Sequence, residues 1–443
     1  MNKSLKKQMT SIALPIMLQN LILSLINLAD VFMIGRVGNV EIAAVGLSNQ
    51  IQFLFVLFCM GINNAGSIFI AQYFGRGEKD KIKTVLGITM IISIALALIF
   101  SIMAFFLPET LMRIYTSDQE VINSAIPYLK VIAIAYIFTA FTIVYSTLLR
   151  SIGNTKMAMY ASIVTLMINV ILNYLLIFGN LGFPKMGVAG AALATSIARF
   201  FELCTIIIVS KKKKYDISLK IEHFKTITKD FVKEFFKTGL PVIGSHVIWS
   251  LGATTLFMIY ARVGTAAVTA MNISGSFANI AFIAIVGIGS AVGVIVGQEL
   301  GRGNEETAYK LSKDMLKLNG KLGLIVGLLI MISADLLVSF YNIPPEIKKV
   351  SANVIRILAL FFPLRALNFT NMVGIMRAGG DTKHIMMIDI LAMWGTGIPL
   401  AFLGYKLGLS VYFVYMLACG EDITKFILSM KRFLSKKWIK TVA

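Results

Sequence analysis

The chain carries one unit twice. Residues 61–77, GINNAGSIFIAQYFGRG, return as residues 287–303, GIGSAVGVIVGQELGRG. Gly61, Ile62, Gln72, Gly75, Arg76 and Gly77 thus recur 226 positions later as Gly287, Ile288, Gln298, Gly301, Arg302 and Gly303. The offset holds upstream without a gap, since Leu14-Pro15 matches Leu240-Pro241 and Arg36-Val37-Gly38 matches Arg262-Val263-Gly264. A second motif, LLRSIGNTK at 148–156, returns as IMRAGGDTK at 375–383, offset 227. A repeat of about 220 residues lies far above the period of soluble repeat arrays. The chain is therefore two tandem copies of one fold unit.

Each copy is mostly apolar. Hydrophobic residues make up 57% of the chain and charged residues 14%, against roughly 45–50% and about 25% in soluble domains. The excess falls in blocks bounded by charges or Gly/Pro and long enough to span a bilayer as helices. Twelve are counted, at about 14–35, 45–71, 84–107, 122–149, 157–178, 187–210, 239–260, 267–298, 318–338, 350–376, 384–404 and 409–430. Transmembrane strands would instead be about ten residues of alternating polarity. The expected fold class is all-α and integral to the membrane: twelve transmembrane helices in two pseudo-symmetric six-helix lobes. Duplicated halves in such a chain point to a transporter.

A net charge of +20 would suggest nucleic acid in a soluble protein. Its distribution argues otherwise. With a cytoplasmic N-terminus, seven segments lie inside: 1–13, 75–84, 150–156, 211–238, 301–321, 377–384 and 431–443. They hold 30 of the 42 lysines and arginines, and the six outer loops hold about seven. This bias places both termini in the cytoplasm. No aromatic-interleaved or groove-fitting motif accompanies the charge, so no nucleic-acid partner is expected. The basic loop at 211–225 is read as facing anionic headgroups. Residues 1–15 could pass for a signal peptide, but no small-residue cleavage site follows, and the segment is read as the first helix. Cys59, Cys204 and Cys419 lie in separate apolar blocks, so neither a disulfide nor a metal framework is expected.

The organisation follows: residues 1–210 form an N-lobe of helices one to six, 211–238 a basic cytoplasmic linker, and 239–443 a C-lobe of helices seven to twelve with a basic tail. Six helices per copy give both lobes one orientation, so a pseudo-two-fold axis along the membrane normal should relate them. A substrate would sit between the lobes. The recurring GRG and R-x-x-G-[ND]-T-K loops are read mainly as helix ends, with glycine stopping one helix and Asn/Asp-Thr starting the next. Conformational gating is the other reading.

An ionisable side chain inside the bilayer costs about 2.5–3.5 kcal/mol on insertion scales, so it is a functional candidate. Asp30 in the first helix is the clearest. Asn20, Ser24, Asn27 and Asp30 fall within a stripe of about 120° and are expected to face inward together. Asn169 and Asn173 share a face of helix five at i,i+4, and Thr195 on helix six lies at a similar depth. One carboxylate, two amides and a hydroxyl at one level make a plausible oxygen cage for a hard monovalent cation, and a buried carboxylate also suits a proton. The alternative is ordinary interhelical hydrogen bonding. In the second copy Asp30 maps to Leu256, Asn169 to Thr396 and Asn173 to Leu400, so cation coupling would belong to the first lobe. Asp389 is read either as a partner for a cationic substrate or as an ion pair with Arg365. Asn27, Asp389 and Arg365 are the substrate-cavity candidates. Asp335 with Arg356 and Arg199 with Glu202 read as interfacial pairs, and Glu421 and Asp422 as partners of Lys425. His246 reads as a helix-packing residue.

At these residues the chain resembles the multidrug and toxic-compound extrusion (MATE) family. The resemblance rests on NLADVFMIGRVG in helix one, AQYFGRGE after helix two, LLRSIGNTK after helix four and IMRAGGDTK after helix ten, in order and over nearly the whole length. It implies an inner-membrane antiporter that exports amphipathic, often cationic compounds by sodium or proton entry. It implies no other cofactor and no enzymatic activity. Within it Asp30, Asn169, Asn173 and Thr195 match the cation-coupling site, and Pro15 stands where members with a bending first helix carry proline. Asn173 replaces the second acid of other branches. The acid that one branch carries on helix seven is absent, with Trp249 near that place, and Arg365 stands where an acid is found in helix ten. A monomer is expected. The competing reading is a lipid-linked sugar flippase of the same wider superfamily, against which twelve helices and Asp30 both count. A membrane enzyme would need clustered His, Asp or Cys, and the three histidines lie apart. Two lobes fit alternating access better than a channel.

Overall fold

The computed structural model describes residues 3–212, 227–341 and 343–441. Most of the basic loop, from residue 213 through His223 to 226, lies outside the described residues. Among those residues the secondary structure is helical, with no strand. The first copy supplies α1 (Lys3–Ile34), α2 (Asn39–Arg76), α3 (Lys79–Phe106), α4 (Gln119–Ser151), α5 (Thr155–Phe178) and α6 (Gly187–Lys212). The second supplies α7 (Lys229–Val263), α8 (Thr265–Gly301), α9 (Glu305–Ser339), α10 (Pro345–Met376) and α11 (Thr382–Lys406). The last helix, α12, comes in two pieces, Val411–Ala418 and Gly420–Leu434.

Helices α1 to α11 are each long and apolar enough to cross a membrane. The twelfth apolar block differs from the reading as one continuous helix. It breaks at Cys419, just before Glu421 and Asp422, and neither piece is long enough alone. The fold is the expected one, with twelve membrane helices in two lobes. Helical hydrogen bonding within each segment leaves few backbone groups for lipid to satisfy.

The repeated loops have repeated geometry. Gly77 and Gly303 adopt φ of +79° and +78°, and Gly153 and Gly380 adopt +86° and +71°. Only glycine takes this left-handed conformation at little cost. After α4 the amide of Gly153 donates to Arg150 O and that of Asn154 to Leu149 O; after α10 Gly380 and Asp381 do the same to Arg377 O and Met376 O. This pair of bonds closes a helix C-terminus. The next helix starts where expected, at Thr155 and at Thr382, although neither Asn154 nor Asp381 makes a side-chain cap bond. The first glycine of each GRG plays another part. It lies inside the helix, where a Cβ on Gly75 would meet Gln298 O at 2.1 Å and one on Gly301 would meet Gln72 O at 2.0 Å. The ends of α2 and α8 therefore cross backbone to backbone.

The chain forms two compact units. One comprises Leu14–Ile70 and Glu78–Phe235; the other comprises Met1–Ala13, Ala71–Gly77 and Phe236–Ala443. The first is centred on Phe55, Phe100 and Tyr136, with Phe55 5.0 Å from Tyr136 between ring centroids. The second is centred on residues such as Tyr260, Phe362 and Tyr415. Two helices of the second unit contain π-turns, Thr370–Met376 in α10 and Met393–Gly397 in α11.

Candidate cation site

Three helices of the first unit meet through polar side chains in an apolar surrounding. Asp30 is on α1, Asn169 and Asn173 on α5, and Thr195 on α6. The Asn173 amide donates to Asp30 Oδ1, and also to Asn169 Oδ1 at 3.2 Å. Asn169 in turn donates to Thr195 Oγ1 at 3.2 Å. Both asparagines are fully buried. The four residues singled out from the sequence are thus contiguous. Asn173 Oδ1 is buried and has no hydrogen-bond partner among the described residues. An amide oxygen held in that state costs about 1–3 kcal/mol, so it marks a place where something else can be accepted.

A second storey lies further along the same helices. Gln19 on α1 donates to Ser162 on α5 at 3.3 Å; Ser162 donates to Glu202 Oε1 at 3.3 Å; Arg199 on α6 binds Glu202 Oε2 at 2.7 Å. Arg199 and Glu202 read as an interfacial pair from the sequence, but Glu202 is 2% exposed. The spacing could have revealed it. Ser162 precedes Asn169 by seven residues and Glu202 follows Thr195 by seven, two helical turns in each case. Gln19 and Asp30 are eleven apart, only about 20° round the helix. Asn27 lies about 60° away on the same count and is exposed. The stripe of α1 is therefore not buried as a whole, and Asn27 does not join the ladder.

The second copy keeps part of this arrangement without its charge. Thr396, at the place of Asn169 on α11, accepts from Thr424 on α12 at 3.2 Å, an uncharged contact between the two helices. Leu256, at the place of Asp30, is buried in the apolar core.

Charge in the second unit gathers instead on α12, with a correction to the expected pairing. Asp389 does not bind Arg365. It lies 3.3 Å from Lys425 Nζ, which also binds Glu421 at 2.5 Å, and Arg365 binds Asp422 at 2.9 Å. The cause is helical geometry: Glu421 and Lys425 share a face at i,i+4, whereas Asp422 is turned about 100° towards α10. Arg356 binds Asp335 at 2.6 Å, as the sequence suggested. The tail holds a further contact that the sequence does not announce. Asp381, in the loop after α10, holds Arg432 at 2.6 Å and Lys440 at 2.7 Å. Burial raises its carboxyl pKa, but these two cations prevail and hold it below the ordinary carboxylate value. Trp438 is fully buried beside Gly379.

The comparisons follow this architecture. The MatE family model matches residues 15–175 and 241–403, one stretch in each copy. The chain belongs to the MatE family. The probable multidrug resistance protein NorM of Thermotoga maritima is 27% identical to this MatE chain over 98% of it and 94% of the relative. The multidrug resistance protein PmpM of Pseudomonas aeruginosa is 26% identical over 92% and 85%. Among solved structures, the Vibrio cholerae MATE transporter VcmN in its bent form superposes with a TM-score of 0.89 at 20% identity, covering 99% of both chains. Membership makes this chain a multi-pass membrane transporter; Asp30, Asn169 and Asn173 lie within the first matched stretch, and Thr195 lies beyond its end.

Proposed function

We propose that this MatE protein exports amphipathic, often cationic compounds across the bacterial inner membrane, with both termini in the cytoplasm, in exchange for a sodium ion or a proton. The coupling ion binds at Asp30 with Asn169, Asn173 and Thr195. The relatives named as multidrug resistance proteins support the substrate class. The observation that carries the site is the Asn173 amide, which donates to two oxygens while its own oxygen has no partner among the described residues.

Either ion would reverse that amide. A sodium ion is held by oxygens, and turning the Asn173 amide over presents its oxygen beside the Asp30 carboxylate. A proton converts Asp30 from acceptor to donor, and the same turn gives it an acceptor. Loading of the site therefore rewires α1 to α5, and through Asn169 reaches α6. Because both ions compete for one carboxylate, each lowers the apparent affinity for the other. Asn27, Asp389 and Arg365 are the substrate-side candidates; the last two are already neutralised by Lys425 and Asp422, so a charged substrate must compete with these pairs. Pro15, buried inside the continuous α1, is the place for that helix to bend.

The test is substrate-driven sodium and proton flux in proteoliposomes. Asp30→Asn should abolish coupled flux while the protein remains inserted and folded, and Leu256→Asn should affect stability alone. Coupled export at the normal rate by Asp30→Asn would refute the assignment.

A further inference from the structure

Helix α9 presents one continuous face of unusual make-up. Lys313, Lys317 and Lys321 succeed one another at intervals of four, within about 80° of arc. All three are exposed, and among the described residues none is in an ion pair. They rim a groove of about 440 Å³ between α9 and α12, floored by Leu316, Leu367, Phe426 and Met430. Beyond the lysines the same face continues as Leu324, Leu328 and Ile332, exposed at 52%, 50% and 82%. From Lys321 to Ile332 this apolar strip runs about 16 Å, the scale of one leaflet's hydrocarbon, which is half of a core about 30 Å thick.

We propose that this groove is a binding site for one anionic glycerophospholipid of the cytoplasmic leaflet. The phosphate lies on the three lysines, and an acyl chain lies along the groove floor and the Leu324–Ile332 strip. Charge bias places residues 301–321 at the cytoplasmic surface, the leaflet from which such a lipid would enter. Three cations on a row, without an ion pair among the described residues, favour a headgroup with net negative charge, since a zwitterionic headgroup brings its own cation against them. The apolar floor gives the acyl chain a role that a free phosphate lacks. Gly320 keeps the wall low between Lys317 and Lys321, and a Cβ there would already approach Leu367 at 3.0 Å. The site is separate from the Asp30 ladder, and its test reads binding rather than transport.

Purified full-length protein in detergent is titrated with phosphatidylglycerol or phosphatidylcholine, followed by thermal unfolding and by native mass spectrometry of retained lipid. Phosphatidylglycerol should raise the unfolding temperature and remain as a single bound copy, and phosphatidylcholine should do neither. The triple variant Lys313→Gln, Lys317→Gln, Lys321→Gln should lose this preference, with affinity for phosphatidylglycerol falling about a hundredfold. Met430→Trp, which fills the groove and keeps the lysines, should lose the bound copy as well. The triple variant Lys79→Gln, Lys81→Gln, Lys83→Gln removes equal charge elsewhere and should behave like the parent. Equal loss in that control would show general surface attraction and overturn the site. Inorganic phosphate stabilising the protein as strongly as the lipid would overturn it too.

Discussion

Placing a single methyl group at Gly301 should destabilise the protein about as much as truncating a core side chain. The added carbon would stand 2.0 Å from the carbonyl oxygen of Gln72. An acceptable carbon–oxygen contact is about 3.3 Å, so α2 and α8 would have to separate by roughly 1.3 Å. No rotamer change relieves this, because the opposing atom is backbone. Overpacking of this kind costs about 1–3 kcal/mol. Separation also strains the Gln72 side chain, which donates to Ala378 O at 2.8 Å and Lys440 O at 3.3 Å; each such bond contributes about 1 kcal/mol. Either Gly301→Ala or Gly75→Ala should therefore cost about 2–4 kcal/mol. The double variant is the sharper measurement, since one displacement makes room for both methyls. Its cost should fall short of the sum by about 1–3 kcal/mol. Reversible unfolding of the four proteins in detergent, with Gly46→Ala as a control that meets nothing within 4 Å, gives the cycle. Additive effects to within about 0.5 kcal/mol, or a neutral Gly301→Ala, would refute the shared crossing.

Further expectations concern the polar groups. Glu202→Ala should lower stability by about 3–5 kcal/mol by stranding Arg199, and adding Arg199→Met should restore most of it, as read by thermal unfolding. Asn173→Asp should make sodium binding, measured by calorimetry, more strongly pH-dependent than in the parent, because a second carboxylate adds a proton competitor. Asp381 has a folded pKa below its unfolded value, so its contribution is complete above the unfolded pKa of about 3.9 and is lost as pH falls through the lower folded value. Trypsin nicking at the exposed Lys436 and Lys437 should thus stay slow from pH 8 to pH 5 in the parent and become fast across that range in Asp381→Asn.

The fold was readable because its signals are long: a 226-residue offset and apolar blocks of membrane length survive any local error. Asp30, Asn169, Asn173 and Thr195 were readable because charge and amides stand out in apolar helices, and helical periodicity orders them. Ser162 escaped notice because a small hydroxyl gives little contrast in a membrane helix, and Gln19 because it lies near the inner end of its apolar block. The pairing of Glu202 with Arg199 was readable from their spacing, but its burial was not, because counting residues along an apolar block does not say what packs over a side chain. The pairing on α12 was undecidable from sequence: Glu421, Asp422 and Lys425 point in different directions, and only tertiary packing says which faces Asp389 and which Arg365. The tail carried no signal that two of its five cations fold back onto Asp381.

The π-turn in α10 bears on how the two copies drifted apart. From Gly77 to Leu148 is 71 positions, and from Gly303 to Ile375 is 72. One residue was gained by the second copy or lost by the first. An α-helix cannot absorb an extra residue without rotating all that follows by about 100°. A wider turn can, by closing hydrogen bonds over five residues instead of four, and here the Arg377 amide reaches back to Met372 O. The length difference is thus absorbed inside the helix and never reaches the loop, so Arg377 and Gly380 keep the phase that Arg150 and Gly153 have after α4. The residue left to bear the irregularity is Asn371, buried with neither amide atom paired among the described residues. Deleting one residue from 370–376 should return the segment to α-helical pitch with its loop in register, and would show whether the indel or its later use preserves the turn.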